Sequence, residues 1–181
     1  MNYSSELPWM KIHDFLLNIE SIREPKEFWV QVLNQIYPLI PYDQARIYFV
    51  NDNGKIYDEV LIGVEQRWSD VYLEYYSKIE NDRYAIPKLK GSVHDWTNYE
   101  CDEFITDYIK PQGLNYSLGF GLHNANTFTK SVYSLDRTSR SGYTHEEIGI
   151  MSIIQPHLDN LQNLFVLALT NSYYHYSVNY L

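Results

Sequence analysis

The chain has 181 residues, 45% of them hydrophobic and 20% charged, with a formal net charge of −9. That length makes one ordinary domain, able to bury a core without a metal or disulfide staple. The acidic balance, with no Lys/Arg cluster longer than two, argues against direct binding to a phosphate backbone, and the single cysteine, Cys101, excludes an internal disulfide framework.

In chain order, residues 9–20 place Ile12, Phe15, Leu16 and Ile19 on one helical face. Pro25 suits a first helical turn, and Phe28, Val32, Leu33 and Ile36 carry a second helix to Tyr37. Residues 45–50 read as a strand. Asn51-Asp52-Asn53-Gly54 is a turn signal, and residues 55–63 return as the hairpin partner. Residues 65–80 are helical, with Trp68, Tyr72, Tyr75 or Tyr76, and Ile79 at helical spacing. A short strand ends near Trp96, and a helix from about Cys101 to Ile109 is stopped by Pro111 and Gly113. Residues 114–122 alternate: Leu114, Tyr116, Leu118, Phe120 and Leu122 face one way, Asn115, Ser117, Gly119 and Gly121 the other. After the polar loop at 124–126, a strand spans Phe128 to Leu135. Thr144-His145-Glu146-Glu147 has the capping-box pattern and starts a long helix to about Thr170. Hairpin connections predict a mainly antiparallel sheet with helices on its faces and a long C-terminal helix, an α+β layout that resembles PAS and GAF domains.

Catalytic and metal motifs are missing. The sequence has no Gly-x-Gly-x-x-Gly, P-loop, His-Glu-x-x-His, Cys-x-x-Cys or Gly-x-Ser-x-Gly string, and its six histidines lack zinc-ligand spacing. Cys101 has no second cysteine to resolve it, so a small core residue is the better reading of it than a nucleophile. The expectation is a non-enzyme with no cofactor and no metal. The amino terminus lacks a signal-peptide pattern, and the longest apolar run, Leu164 to Leu169, is too short for a bilayer; a cytoplasmic protein without membrane contact is expected.

Three groups remain: Trp68-Ser-Asp-Val-Tyr72 with Asn81-Asp82 and His94-Asp95-Trp96; Tyr108-Ile-Lys-Pro-Gln-Gly113-Leu; and Gly142-Tyr-Thr-His-Glu-Glu147 with Gln155-Pro156-His157-Leu158. In this order and spacing they resemble, over roughly residues 45–170, the amino-terminal sensor domain of LuxR-type transcription regulators, autoinducer-binding or GAF-like. The resemblance implies a small organic ligand of unknown identity in a pocket between the sheet and one helical layer. It implies homodimerisation, quorum-type signalling, and DNA contact only through a helix-turn-helix domain that this chain does not contain. The ligand head-group positions of the family fall on Trp68, Tyr72, Asn81 and Trp96, with Ser134 a further polar contact. Asn81 stands where the family has Asp, keeping an acceptor but losing the charge; Asp82 replaces the usual proline and restores an acid if the register shifts by one. Trp68 and Tyr72, one turn apart, fit core packing as well as ligand contact.

Independently of the family, Ser117, Gly119 and Gly121 leave volume for a close helix or a ligand. Met151, Ile154, Leu158, Leu161 and Phe165 form a heptad-like stripe suited to a partner chain, to packing on the own domain, or to both. Residues 1–170 are therefore read as one sensor domain and 171–181 as a tail or linker toward a DNA-binding module. The rival expectation is a ligand-free interaction module that dimerises with, or titrates, a full-length regulator.

Overall fold

The computed structural model describes residues 7–51, 53–79, 93–95, 103–123, 129–139 and 141–178, with side chains beyond residue 164 outside that description. Helices α1 (Trp9–Glu20) and α2 (Pro25–Ile36) lead into the hairpin β1 (Gln44–Val50) and β2 (Ile56–Ile62), followed by α3 (Gln66–Glu74). The short β3 (Val93–Asp95), the hairpin β4 (Tyr116–His123) and β5 (Thr129–Arg137), and α4 (His145–Val178) complete the described elements. The five strands lie in the order β2-β1-β5-β4-β3, every neighbour antiparallel. This is the expected α+β class with a long C-terminal helix. β1 sits between its hairpin partner and β5, so it lies inside the sheet and is buried along almost its whole length.

Strand alternation sends one side-chain set to each face. Ala45, Ile47, Leu118, Phe120, Leu122, Tyr133 and Leu135 join Ile12, Phe15 and Ile19 of α1, Phe28, Trp29, Val32 and Leu33 of α2, and Ile150, Met151, Ile154 and Leu158 of α4 in the main core. Phe120 and Tyr133, cross-strand partners, stack at 4.5 Å. Gly63 ends β2 in a left-handed conformation (φ +69), and a Cβ there would lie 2.6 Å from the Asp43 carbonyl oxygen.

Two helical expectations change. The helix expected over 65–80 ends at Glu74: Tyr75 leaves helical geometry and a 3-10 turn covers Tyr76–Lys78. The break has a packing reason, since adjacent tyrosines cannot share one helical face; Tyr76 turns into an aromatic cluster while Tyr75 stays half exposed. The helix expected before Pro111 is a π-helical turn, Phe104–Ile109, followed by a 3-10 turn at Lys110–Gln112 that Gly113 terminates at φ +73. At the other end α4 continues past Thr170 to Val178.

α4 starts with the expected reciprocal cap: the Thr144 amide donates to Glu147 Oε2 (2.8 Å) and the Glu147 amide to Thr144 Oγ1 (3.1 Å). Thr144→Ala is expected to cost about 1 kcal/mol, read as a lower urea midpoint at unchanged slope. Pro156 sits inside the helix, and both it and Ser152 are exposed, which puts the carbonyl that loses its amide partner near water.

Candidate functional site

The second face of the sheet carries a different chemistry. β1 contributes Arg46 and Tyr48, β5 contributes Val132, Ser134 and Asp136, and β4 contributes Ser117, Gly119 and Gly121; the pairings Arg46↔Ser134, Ser117↔Asp136 and Gly119↔Ser134 make them neighbours. Arg46 and Asp136 are 4% and 1% exposed and form an ion pair, Nη1 to Oδ2, at 3.0 Å. The Ser117 and Ser134 hydroxyls each donate to Asp136 Oδ1 at 2.6 Å and lie 3.0 Å from each other. Arg46 Nη2 donates to Gln44 Oε1 at 2.9 Å and to Gln112 Oε1, while Gln112 Nε2 donates to the Tyr108 carbonyl at 2.7 Å. The guanidinium lies 5.9 Å from the Tyr108 ring centroid.

Around this polar centre stands a ring cluster. Tyr72 stacks on Tyr48 at 4.9 Å, and Tyr108 meets Trp68 edge-on at 6.0 Å, Tyr76 at 5.1 Å and Phe104 at 5.0 Å. Trp68 is half buried at the rim, with the Arg67 guanidinium 5.0 Å from its ring. A second polar chain enters from β2: Gln66 donates to Glu59 (2.8 Å), Ser69 also donates to Glu59, and the Tyr48 and Ser69 hydroxyls lie 3.2 Å apart.

Burial pushes the phenols of Tyr48, Tyr72 and Tyr108 upward, so all three stay neutral donors at neutral pH. Burial works against the Arg46 charge, but the Asp136 carboxylate, aided by the surrounding phenols, holds its guanidinium above the ordinary value. The site is thus a neutralised charge pair inside an aromatic wall, rich in hydrogen-bond donors. Among the described residues no group of His, Cys, Asp and Glu is placed to hold a metal ion.

Of the residues singled out from the sequence, the structure brings Trp68 and Tyr72 into the ring cluster and Ser117 and Ser134 onto the Asp136 carboxylate. Asn81, Asp82 and Trp96 lie outside the described residues. On the α4 stripe, Met151, Ile154 and Leu158 are fully buried against the chain's own sheet, the own-domain packing that the sequence allowed. Leu161 is partly buried against the same core, and the side chain of Phe165 lies outside the description.

Sequence reasoning missed Arg46, Asp136 and Gln112. A signal was available: an arginine inside Ala-Arg-Ile-Tyr-Phe-Val faces the same way as Tyr48, and a buried strand places a charge there only with a partner.

No protein-family model and no curated protein matches the sequence. Solved structures do match in shape. A domain assigned to a two-component sensor histidine kinase of Sinorhizobium meliloti 1021 aligns with a TM-score of 0.64 at 12% identity, over 83% of this chain and 99% of that one. The phycoerythrobilin-bound GAF domain of a cyanobacterial phytochrome gives 0.63 at 11% identity, over 88% and 98%. The N-acylhomoserine-lactone-dependent LuxR family transcription factor CepR2 of Burkholderia cenocepacia gives 0.62 at 11% identity, over 86% and 96%. At such identities the likeness is one of fold, and the chain has the GAF-like fold used by sensor domains.

Proposed function

We propose that this chain is a non-catalytic, small-molecule-sensing domain of a LuxR-type regulator. In this reading it pairs with a second copy in the cytoplasm and acts on DNA through a helix-turn-helix domain. The observation that carries the proposal is the cluster under α3 and the π turn, where a buried ion pair and two serine hydroxyls meet a wall of aromatic rings. A few convergent polar groups within an apolar, aromatic lining are the usual make-up of a small-molecule site. Its place on the sheet face opposite α4 lets ligand burial bias a long helix through the sheet, which is linkage in the ordinary sense.

Thermal denaturation of the purified chain with a panel of N-acylhomoserine lactones, bilins and aromatic amides tests this. A ligand at about a hundred times its Kd adds about 2.7 kcal/mol, which raises the midpoint of a domain this size by roughly 5–10 °C. No shift with any member of the panel would sink the proposal. It would then leave the interaction-module reading, which the mutual packing of Tyr48, Tyr72, Tyr76 and Tyr108 favours, with titration of a full-length regulator as its test.

A further inference from the structure

Helix α3 is weakly held by its own sequence. It has nine residues, its N-cap Glu65 makes no side-chain hydrogen bond, and its C-cap Tyr75 leaves helical geometry at φ −124, ψ −69. Helices shorter than about 12–15 residues are marginal in water even for good helix formers, and Trp68, Val71 and Tyr72 are not among those. The order of α3 therefore comes from what its inner face meets. Gln66, Ser69 and Tyr72, three residues apart, land on one cross-strand pair, Tyr48 of β1 and Glu59 of β2. Gln66 Nε2 donates to Glu59 Oε1 at 2.8 Å, and Ser69 Oγ donates to Glu59 Oε2. With the serine proton used there, the Tyr48 hydroxyl is the donor in its 3.2 Å contact with Ser69, while Tyr72 stacks on the Tyr48 ring.

We propose that α3 is a lid that opens as a unit, hinged at Gly63 and latched by Glu59. What the lid admits rests on the sensor reading above; its motion rests on α3 alone. With α3 seated, Arg46, Tyr48, Tyr72 and Tyr108 are between 1% and 4% exposed, so a molecule reaches them only through an opening. β1 and β5 are each paired on both sides and part only by losing ladder bonds. Lifting α3 breaks side-chain contacts instead: the Tyr72 stack, the Trp68–Tyr108 edge contact and the bonds to Glu59. The latch is reversible because Glu59 is half buried on the edge strand β2, where water replaces the departing donors. Gly63, two residues before the N-cap, is the residue of this stretch whose backbone is freest to take up the rotation.

Amide hydrogen exchange of the intact chain, without ligand and at increasing sub-denaturing urea, reads the opening. Unseated, so short a helix does not keep its own hydrogen bonds, so lifting appears as exchange. Amides of residues 66–74 are expected to exchange faster than those of β1 and β5 and with a shallower urea dependence, because a local opening exposes little surface. Ser69→Ala is expected to speed α3 exchange about tenfold. Gln66→Ala, at an exposed side chain, is expected to act in the same direction and less strongly, and serves if the buried Ser69 variant fails to fold. Ile19→Val lies in the main core on the other face of the sheet. It is expected to speed β1 and β5 exchange about fivefold and to leave α3 unchanged, since its contacts survive when the lid lifts.

An α3 that shares the protection and urea dependence of β1 and β5 opens only with the whole fold, which would overturn the lid. Equal acceleration of α3 and the sheet in Ile19→Val would do the same. Unchanged α3 exchange in both Ser69→Ala and Gln66→Ala would remove Glu59 as the latch and overturn the assignment there. No arm uses a ligand, so each of these failures leaves the thermal test of the sensor reading as it is. A panel without any thermal shift, in turn, leaves a measured lid standing.

Discussion

Asp136→Ala is expected to destabilise the fold by about 3–5 kcal/mol, the largest effect of any single change in the candidate site. The carboxylate is 1% exposed, is ion-paired with Arg46 Nη1 and accepts from the hydroxyls of Ser117 and Ser134. Truncation leaves a guanidinium in the middle of a five-stranded sheet with no counter-charge, and two hydroxyls without their acceptor. Urea denaturation measures the loss. Asp136→Asn keeps an acceptor oxygen and is expected to fall between parent and alanine. The double variant Arg46→Met with Asp136→Leu is expected to cost less than Asp136→Ala alone, since it removes the stranded charge with its partner. A double variant that costs as much as Asp136→Ala, or more, would mean that the pair is not coupled and that the cluster is held by packing.

That result would also bear on why the sheet keeps a charge pair where leucines would serve for stability. Replacing buried ion pairs by apolar residues is often neutral or stabilising. The pair instead fixes the positions of the Ser117 and Ser134 hydroxyls and of the Gln112 amide. The ring cluster argues the same way. The break after Glu74 and the π turn at Phe104–Ile109 both depart from regular helix, and both turn a tyrosine, Tyr76 and Tyr108, toward the same place.

The legibility of the chain follows from the range of the forces involved. Helices α1 and α2, the β1–β2 hairpin and the α4 cap are written in local signals: 3.6-residue periodicity, an Asn-Gly type turn and a Thr-x-x-Glu box. Each of these is found where the sequence places it. The strand at 114–122 is legible for the same reason, its alternation sending Leu118, Phe120 and Leu122 into the core. The helix over 65–80 reads as longer than it is because Trp68, Tyr72 and Tyr76 keep helical spacing, while the rotation that seats Tyr76 comes from Tyr108, far along the chain. Arg46 and Asp136 are invisible to local reasoning because ninety residues separate them and only the β1–β5 pairing joins their strands. The α4 stripe reads equally well as interface or core. Sheet coverage decides it for Met151, Ile154 and Leu158.

One residue beyond Asp136, the strand turns its other face to α4, and Arg137→Ala is expected to cost roughly 3 kcal/mol. Arg137 Nε donates to the Pro41 carbonyl (2.7 Å), Nη1 to the Gly142 carbonyl (3.1 Å), and Nη2 pairs with Glu147 Oε1 at 2.5 Å; the guanidinium also lies 4.0 Å from the Tyr143 ring centroid. One side chain thus joins the loop before β1, the approach to α4 and the first turn of α4. The loss should depend on pH in a defined sense. Burial raises the Glu147 carboxyl, but the Arg137 and Thr144 hydrogen bonds outweigh it and hold the group below its ordinary value. A carboxylate depressed on folding adds stability that is fully present above its unfolded pKa, about 4.3, and lost as pH falls through the lower folded value. The Arg137→Ala deficit should therefore be full at neutral pH and shrink below about pH 4, where the parent has lost the contribution as well. Chemical denaturation of both proteins across the acid range reads it directly. A deficit that stays constant through that range would assign the cost to the Pro41, Gly142 and Tyr143 contacts and leave the Glu147 pair without weight.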